Sequence, residues 1–245
     1  MNRLLGLVRR VFWENKGALR TTPLVIGGIC IALLLVSFFT TTLIDADLYT
    51  TKDLLRKARA ETTPEMRNDI LYQFTLGSSA FFTLVMGFVV FFYLLGALYD
   101  DRKDRSILFW KSLPASDTLT IASKLLTAML LTPLIFFAVL LATYLVIAVI
   151  GSIWLLLVDV NPLELFSNVF VAVKAWGLIL VSWLANSIWS LPLYGWLLLV
   201  PAFAPRVPLL FATLPPLLLT VLQSWIEFLR TFTFQNRMLR SLRSS

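Results

Sequence analysis

The stretch "KLLTAMLLTPLIFFAVLLATYLVIAVIGSIWLLLV", residues Lys124–Val158, carries one charge, at its first residue. A helix of about 20 apolar residues already crosses the roughly 30 Å hydrocarbon core of a bilayer. Because the backbone must satisfy its own hydrogen bonds there, only helices and closed barrels span membranes. The apolar residues run continuously instead of alternating, which excludes a barrel. The stretch therefore predicts a spanning helix that is longer than necessary and either tilts or projects into solvent.

The rest of the chain has the same character. Its 245 residues are 58% hydrophobic and only 14% charged, against roughly 25% charged in soluble domains. Such a chain cannot cover a soluble core with polar surface, so we expect an integral membrane protein. The net charge of +7 comes from basic residues between apolar runs. That placement favours contact with the lipid membrane and its anionic headgroups, and no nucleic-acid partner is expected.

Several kinds of chemistry are missing from the sequence. Histidine is absent, and Cys30 is the only cysteine, which removes Ser–His catalysis, disulfides and metal clusters. There is no G-x-x-x-x-G-K-[ST] loop for phosphate and no G-x-S-x-G elbow. Few ionisable residues lie in the apolar runs, which argues against ion-coupled transport. We expect no enzyme activity, cofactor or metal in this chain, and any transport must draw its energy elsewhere.

The apolar runs predict an all-α polytopic membrane protein with five to six transmembrane helices in one domain, residues 1–245. The predicted segments are an amphipathic interfacial helix at 1–22, span 1 at 23–44, an extracytoplasmic segment of two short helices at 45–73, span 2 at 74–99, a cytoplasmic loop at 100–123, span 3 at 124–158, a run at 166–204, a last span at 207–228 and a basic tail at 229–245. The 166–204 run is either one span at about 175–204 or two segments broken near Pro192.

Orientation follows from lysine and arginine counts. Residues 1–22 hold five basic residues against Glu14 alone, so we expect the amino terminus and the 100–123 loop inside. Five spans would put the basic tail outside, and six would put it inside. The first apolar run is too long for a signal peptide and predicts an uncleaved anchor.

Local chemistry predicts a short helix inside the 100–123 loop. Asp104 can cap a helix from Arg105 to about Leu113, and Pro114 would end it. Ser116 or Asp117 would then cap the next helix. The short helix carries Phe109 and Trp110 with charges around them, which fits either an interfacial helix or a docking surface for a soluble partner.

Some polar residues of the later spans are candidates for lining a pathway: Ser182, Asn186, Ser190 and Gln223. Such residues also serve as hydrogen-bonding contacts between helices.

The segment "LYDDRKDRSILFWKSLPASDTLTIASKLL", Leu98–Leu126, resembles the ABC-2 type permeases, the membrane subunits of ABC exporters. The resemblance lies in Arg105–Leu108, in Leu113–Ser116 with its proline, and in Lys124. "LPLYGWLLLVPAFAPRVP", Leu191–Pro208, is similar to a later span of that family.

The resemblance implies a multi-pass exporter subunit in the bacterial cytoplasmic (inner) membrane. It implies two partners: a separate ABC ATPase subunit that holds ATP-Mg, and a second permease copy or a paralogue. The short helix is then a coupling helix that contacts the ATPase through Arg105, Ser106, Leu108, Phe109, Trp110, Lys111, Leu113 and Pro114.

Two features depart from the family pattern. The chain has Asp100–Asp101 where glutamate is frequent, and it ends in a basic tail where a sixth apolar run is usual. A non-transporting membrane scaffold, or an assembly or immunity protein, is the alternative interpretation, and it predicts no ATPase partner.

Overall fold

The computed structural model of the chain describes residues 2–43, 57, 61–103, 116–157, 169–204 and 207–243. Regular structure within these ranges is helical throughout, with no strand. Five of the described helical stretches are long and apolar enough to cross a membrane: Gly17–Ser37, Glu65–Ala97, Asp117–Leu156, Val169–Trp189 and Pro208–Arg230. The protein is an all-α polytopic membrane protein, as its sequence predicts.

The described residues form α1 (Asn2–Glu14), α2 (Thr22–Leu43), α3 (Pro64–Ala97), α4 (Tyr99–Lys103), α5 (Asp117–Leu126), α6 (Thr132–Leu157), α7 (Val169–Trp189), α8 (Leu191–Phe203) and α9 (Pro208–Arg243). Two π-helical turns, π1 (Gly17–Thr21) and π2 (Thr127–Leu131), lie between α1 and α2 and between α5 and α6. With 13 residues, α8 is shorter than a membrane crossing requires.

Several helices extend beyond the predicted spans, and one predicted short helix is part of a longer one. Residues 64–73, assigned to a separate short helix, are the first turns of α3. Pro64 opens that helix as predicted, and the Thr63 hydroxyl accepts a hydrogen bond from the Met66 amide at 3.3 Å. No helix breaker follows, so polar and apolar residues share one helix. The helix that leads into span 3 begins at Asp117, as the predicted cap at Ser116 or Asp117 implies, and seven residues before the predicted start of the span. α9 continues through the tail to Arg243.

The 166–204 run is broken, so the single span at about 175–204 is wrong. α7 ends at Trp189 and α8 begins at Leu191. The Ser190 amide donates to the Asn186 carbonyl at 2.9 Å and closes the last turn of α7. Pro192 has no amide hydrogen to continue that ladder, which explains why the break falls here.

Proline also explains the two π-turns. Pro23 and Pro133 each follow a π-turn by two residues, and both are fully buried. A proline ring clashes with the carbonyl four residues earlier and offers it no hydrogen. Before Pro133 the backbone hydrogen bonds change from a four-residue to a five-residue spacing. The Thr132 amide bonds to the carbonyl of Thr127, five residues back, and the Thr132 hydroxyl donates to the same oxygen at 2.9 Å. The helix therefore bypasses the proline without breaking.

Side-chain contacts show that neighbouring spans run in opposite directions. The contacting pairs are Phe137–Trp183 and Tyr144–Trp176 between α6 and α7, and Tyr93–Lys124 and Thr75–Tyr144 between α3 and the α5–α6 helix. Within each set, residue numbers rise along one helix as they fall along the other. The α5–α6 helix is therefore antiparallel to α3 and α7, which run parallel to each other.

The first span runs parallel to the third. α1 packs on α5, and α2 packs on α6, in the same order along both helices. At Gly27 the approach is close: an added Cβ would lie 2.6 Å from Thr143 Oγ1. Small residues allow such close contact between membrane helices. Together, the four directions alternate as they do in a chain that crosses a membrane four times.

Helix packing divides the chain into two units, Met1–Tyr93 with Leu113–Pro192, and Leu94–Ser112 with Leu193–Ser245. The prediction of a single domain stays a prediction. In the second unit, Trp196 Nε1 donates to the Ala212 carbonyl at 3.1 Å and links α8 to α9. Arg102 Nη1 donates to the carbonyls of Pro201 and Ala202, both at 2.8 Å. These are among the last carbonyls of α8, which have no partner within the helix.

Candidate functional site

The predicted ATPase contact lies in a segment that the structure does not describe. All eight of its residues, Arg105, Ser106, Leu108, Phe109, Trp110, Lys111, Leu113 and Pro114, fall within residues 104–115, so this assignment stays a prediction. Asp104, its predicted cap, falls there too.

The borders of this segment are described. α4 ends at Lys103 before it, and Ser116 caps α5 after it. Ser116 has an extended backbone, and its hydroxyl accepts a hydrogen bond from the Leu119 amide at 3.4 Å. Of the two predicted caps, Ser116 is therefore the N-cap, and Asp117 lies in the first turn, where a carboxylate suits the helix dipole.

The basic amino-terminal helix packs beside the carboxyl-terminal border of that segment. α1 contacts α5 and buries Val11, while Trp13 on another face is 55% exposed. Backbone hydrogen bonds at 3.0–3.1 Å continue through Asn15, so α1 passes into the first span without a helical break. α1 is amphipathic as predicted, and it uses part of its apolar face to contact a neighbouring helix.

Lys124, which the resemblance places at the start of span 3, is 6% exposed. Its backbone carbonyl accepts a hydrogen bond from the Tyr93 hydroxyl at 3.3 Å. Ser123 and Thr127 beside it are also buried, and their hydroxyls donate to carbonyls of their own helix at 2.7 and 2.9 Å. The end of span 2 is thereby joined to the beginning of span 3.

An open cleft of about 590 Å³ lies between α3 and α7, the parallel second and fourth spans. Its lining is apolar with a few hydroxyl, indole and amide groups: Leu76, Ser79, Ala80, Thr83, Leu84, Ile179, Ser182, Trp183 and Asn186. None of these side chains is ionisable. The cleft suits a ligand without formal charge, because an unpaired charge is costly to place in such surroundings.

One hydrogen bond joins the two helices that line this cleft. Trp183 Nε1 donates to Thr83 Oγ1 at 2.8 Å, and the Thr83 hydroxyl donates in turn to the Ser79 carbonyl at 2.9 Å. The ring of Trp183 also meets Phe137 of α6 edge-on at 6.5 Å. These polar groups satisfy one another, whereas Ser182 and Asn186 are exposed at the cleft.

Two of the four predicted pathway residues, Ser182 and Asn186, are thus brought together. Ser190 and Gln223 are not among the residues that line the cleft; Ser190 lies between α7 and α8, and Gln223 is exposed on α9. The sequence did not point to Thr83 or Trp183, since a hydroxyl and an indole in apolar runs have no spacing that marks them as a pair.

Another cluster of polar side chains links α3, α6 and α7. Tyr144 of α6 donates to the Thr75 carbonyl at 2.9 Å and lies 2.6 Å from the Ser78 hydroxyl. Its ring stacks on Trp176 at 6.0 Å. Among the groups that the structure describes, Trp176 Nε1 is buried without a hydrogen-bond partner. In these ranges there is also no group of three metal-ligating side chains.

Comparisons with models of protein families, with curated proteins and with solved structures yield no match.

Proposed function

We propose that this chain is the membrane-spanning permease subunit of an ABC exporter of the ABC-2 type. It would move a substrate across the bacterial cytoplasmic membrane, using ATP that a separate subunit hydrolyses. The sequence resemblance at Leu98–Leu126 is the origin of this proposal. The observation that supports it most is the packing of α1 on α5, next to the 104–115 segment.

That packing gives a physical route for coupling. A partner that pushes on the 104–115 segment would act on α5, which continues through π2 into α6 as one long helix. It would also act on α1, which continues into the first span. Because α1 packs on α5 and Tyr93 of span 2 bonds to Lys124 of the same helix, one docking event would act on three spans. α3 and α7 enclose the cleft, and α6 contacts both, so motion of α6 would reach it.

The cleft is our candidate for part of the substrate path, with Ser182 and Asn186 as its exposed polar groups. The chain itself would bind neither ATP nor metal. The second permease copy or paralogue of the complete exporter is part of the same proposal.

The test is to express the tagged chain together with the ATPase that a neighbouring reading frame encodes, and to purify the complex. We expect the ATPase to be retained and Trp110→Ala to reduce retention by about tenfold or more, as loss of a buried aromatic anchor does at interfaces. Trp225→Ala is the matched control, because Trp225 is 61% exposed on α9, outside the predicted contact, and the substitution should leave retention unchanged.

Two outcomes would count against the proposal in different ways. Retention unaffected by Trp110→Ala would show that the docking assignment is wrong. If no ATPase is retained even by the unsubstituted chain, the permease assignment itself fails, and the scaffold interpretation is favoured.

A further inference from the structure

The last long helix, α9, carries a stripe of polar side chains along one face. Every polar side chain of residues 209–230 lies on one face, within an arc of about 120° when successive residues are spaced at about 100°. The members of this stripe are Thr213, Thr220, Gln223, Ser224, Glu227 and Arg230, and Pro216 lies on the same face. All of them are exposed. The opposite face is made of leucine, valine, phenylalanine and tryptophan.

The stripe follows a heptad. Thr213, Thr220 and Glu227 are seven residues apart, and Gln223 and Arg230 lie three residues after the second and third of them. Positions spaced alternately by three and four residues form the contact seam of two helices that wind around each other with a left-handed twist. In membranes, small and polar residues occupy such seams, because lipid tails give no hydrophobic drive for leucine to pack against leucine.

The hydroxyl groups of the stripe are satisfied within their own helix. The hydroxyls of Thr213, Thr220 and Ser224 donate to carbonyls of their own helix at 2.8, 2.8 and 3.0 Å. They therefore offer small surfaces that need no other donor or acceptor. Gln223 differs, because no hydrogen bond to its carboxamide is found among the described residues. It lies two helical turns before Arg230, where the span ends.

The chemistry of Gln223 suits pairing with the same residue of a second copy. A carboxamide carries both a donor and an acceptor, so two of them facing each other across a two-fold axis satisfy both groups. Two copies of one membrane protein insert in the same orientation, so their last helices are parallel and each seam residue faces its own counterpart.

The same face of α9 is already used for packing at its first turns. Ala212, which lies on the stripe side, is buried, and its carbonyl accepts the hydrogen bond from Trp196 at 3.1 Å. Beyond Thr213 the residues of this face are exposed, as are most residues of the opposite face.

We propose that the polar stripe of α9 is the contact surface between two copies of this chain, with Gln223 pairing to Gln223 of the second copy. This inference deepens the proposed function, which includes a second permease, by naming the surface and the residue involved. It does not depend on an ATPase, so it is tested in the absence of one.

Disulfide cross-linking in membranes is the test, since Cys30→Ser leaves the full chain free of cysteine. Single cysteines are placed on the stripe at Thr213, Thr220 and Glu227, and on the opposite face at Leu218, Leu222 and Trp225. All six variants keep Gln223. We expect covalent dimers upon oxidation at the three stripe positions and background yields at the three controls, because Cα atoms must come within about 7 Å for a disulfide to form.

A second measurement isolates Gln223. In the Thr220→Cys variant, Gln223→Leu is expected to weaken association about fivefold, the effect of losing one hydrogen bond between helices. Equal dimer yields on both faces, or no dimer at any position, would overturn the proposal, as would an unchanged yield with Gln223→Leu. Two differently tagged copies of the unsubstituted chain must also co-purify; if they do not, the copies do not associate. Labelling of stripe cysteines by a hydrophilic reagent without dimers would identify an aqueous path instead.

Discussion

Gly27 and Gly28 are adjacent, yet only Gly27 faces a neighbouring helix. A Cβ at Gly27 would lie 2.6 Å from Thr143 Oγ1, whereas nothing lies within 4 Å of a Cβ at Gly28. We expect Gly27→Ala to destabilise the protein by about 1–3 kcal/mol, the usual cost of overpacking. Gly28→Ala should be neutral or slightly stabilising, by up to about 1 kcal/mol, because alanine restricts the unfolded chain. Thermal unfolding in detergent compares the two variants.

The second substitution Thr143→Ala provides the control. It removes the oxygen that the new methyl group meets, and the Thr143 hydroxyl otherwise donates only to the Val139 carbonyl of its own helix, at 2.8 Å. The Gly27→Ala protein should therefore regain most of its stability. Equal shifts for the two glycine variants would mean that α2 and α6 are not packed as described.

At this same scale, the sequence located two of the nine residues that line the cleft. Ser182 and Asn186 were predicted because polar side chains in an apolar run are conspicuous. Their neighbours Thr83 and Trp183 were not, because the bond between them joins residues that are 100 positions apart in the sequence. A residue pattern within one helix carries no information on such a partner.

At the scale of helices, apolar runs predicted the elements well and their ends less well. The start of α5 at Ser116 was predicted because a cap is a local interaction. The sequence did not show that residues 64–73 and span 2 form one helix. A proline opens a helix in the same way whether or not an apolar span follows. Pro23 and Pro133 show the converse case, since each lies within a continuing helix that widens by one residue to accommodate it.

Arg102 gives a prediction at this scale. Its guanidinium donates hydrogen bonds to two of the last carbonyls of α8, although from the sequence it was one of the charges around the predicted short helix. We expect Arg102→Ala to speed amide hydrogen exchange at the end of α8 about fivefold, as expected when hydrogen bonds worth about 1 kcal/mol are lost. Lys103→Ala is the neighbouring control and should leave exchange there unchanged. If both variants behave alike, Arg102 does not cap α8.

At the scale of the whole molecule, composition was sufficient to predict a helical membrane protein, because few charges leave no other option. The number of crossings depends on whether α8 spans the membrane, and length alone speaks against it, since 13 residues cover about 20 Å at 1.5 Å each. What the sequence did not contain was the set of contacts that fixes helix directions. Because those contacts fix the relative directions of the first four spans, they predict which ends of these spans lie on the same side of the membrane.

The alternating directions predict that Lys16 and Asp117 lie on one side of the membrane, and Lys57 and Val169 on the other. All four side chains are exposed, and the excess of basic residues in 1–22 assigns the first pair to the cytoplasm. In the Cys30→Ser background, a membrane-impermeant maleimide should label Lys57→Cys and Val169→Cys in intact cells. It should label Lys16→Cys and Asp117→Cys only after permeabilisation.

The possible deviations have distinct meanings. If both pairs label in reverse, the alternation is right and the orientation is wrong; if members of one pair differ, the alternation itself is wrong. Ser245→Cys extends the test to the last helix. Five crossings place it on the side of Lys57, so labelling in intact cells is expected. Labelling only after permeabilisation would mean that α8 crosses the membrane too, which would bring the basic tail to the cytoplasmic side, where the positive-inside rule favours it.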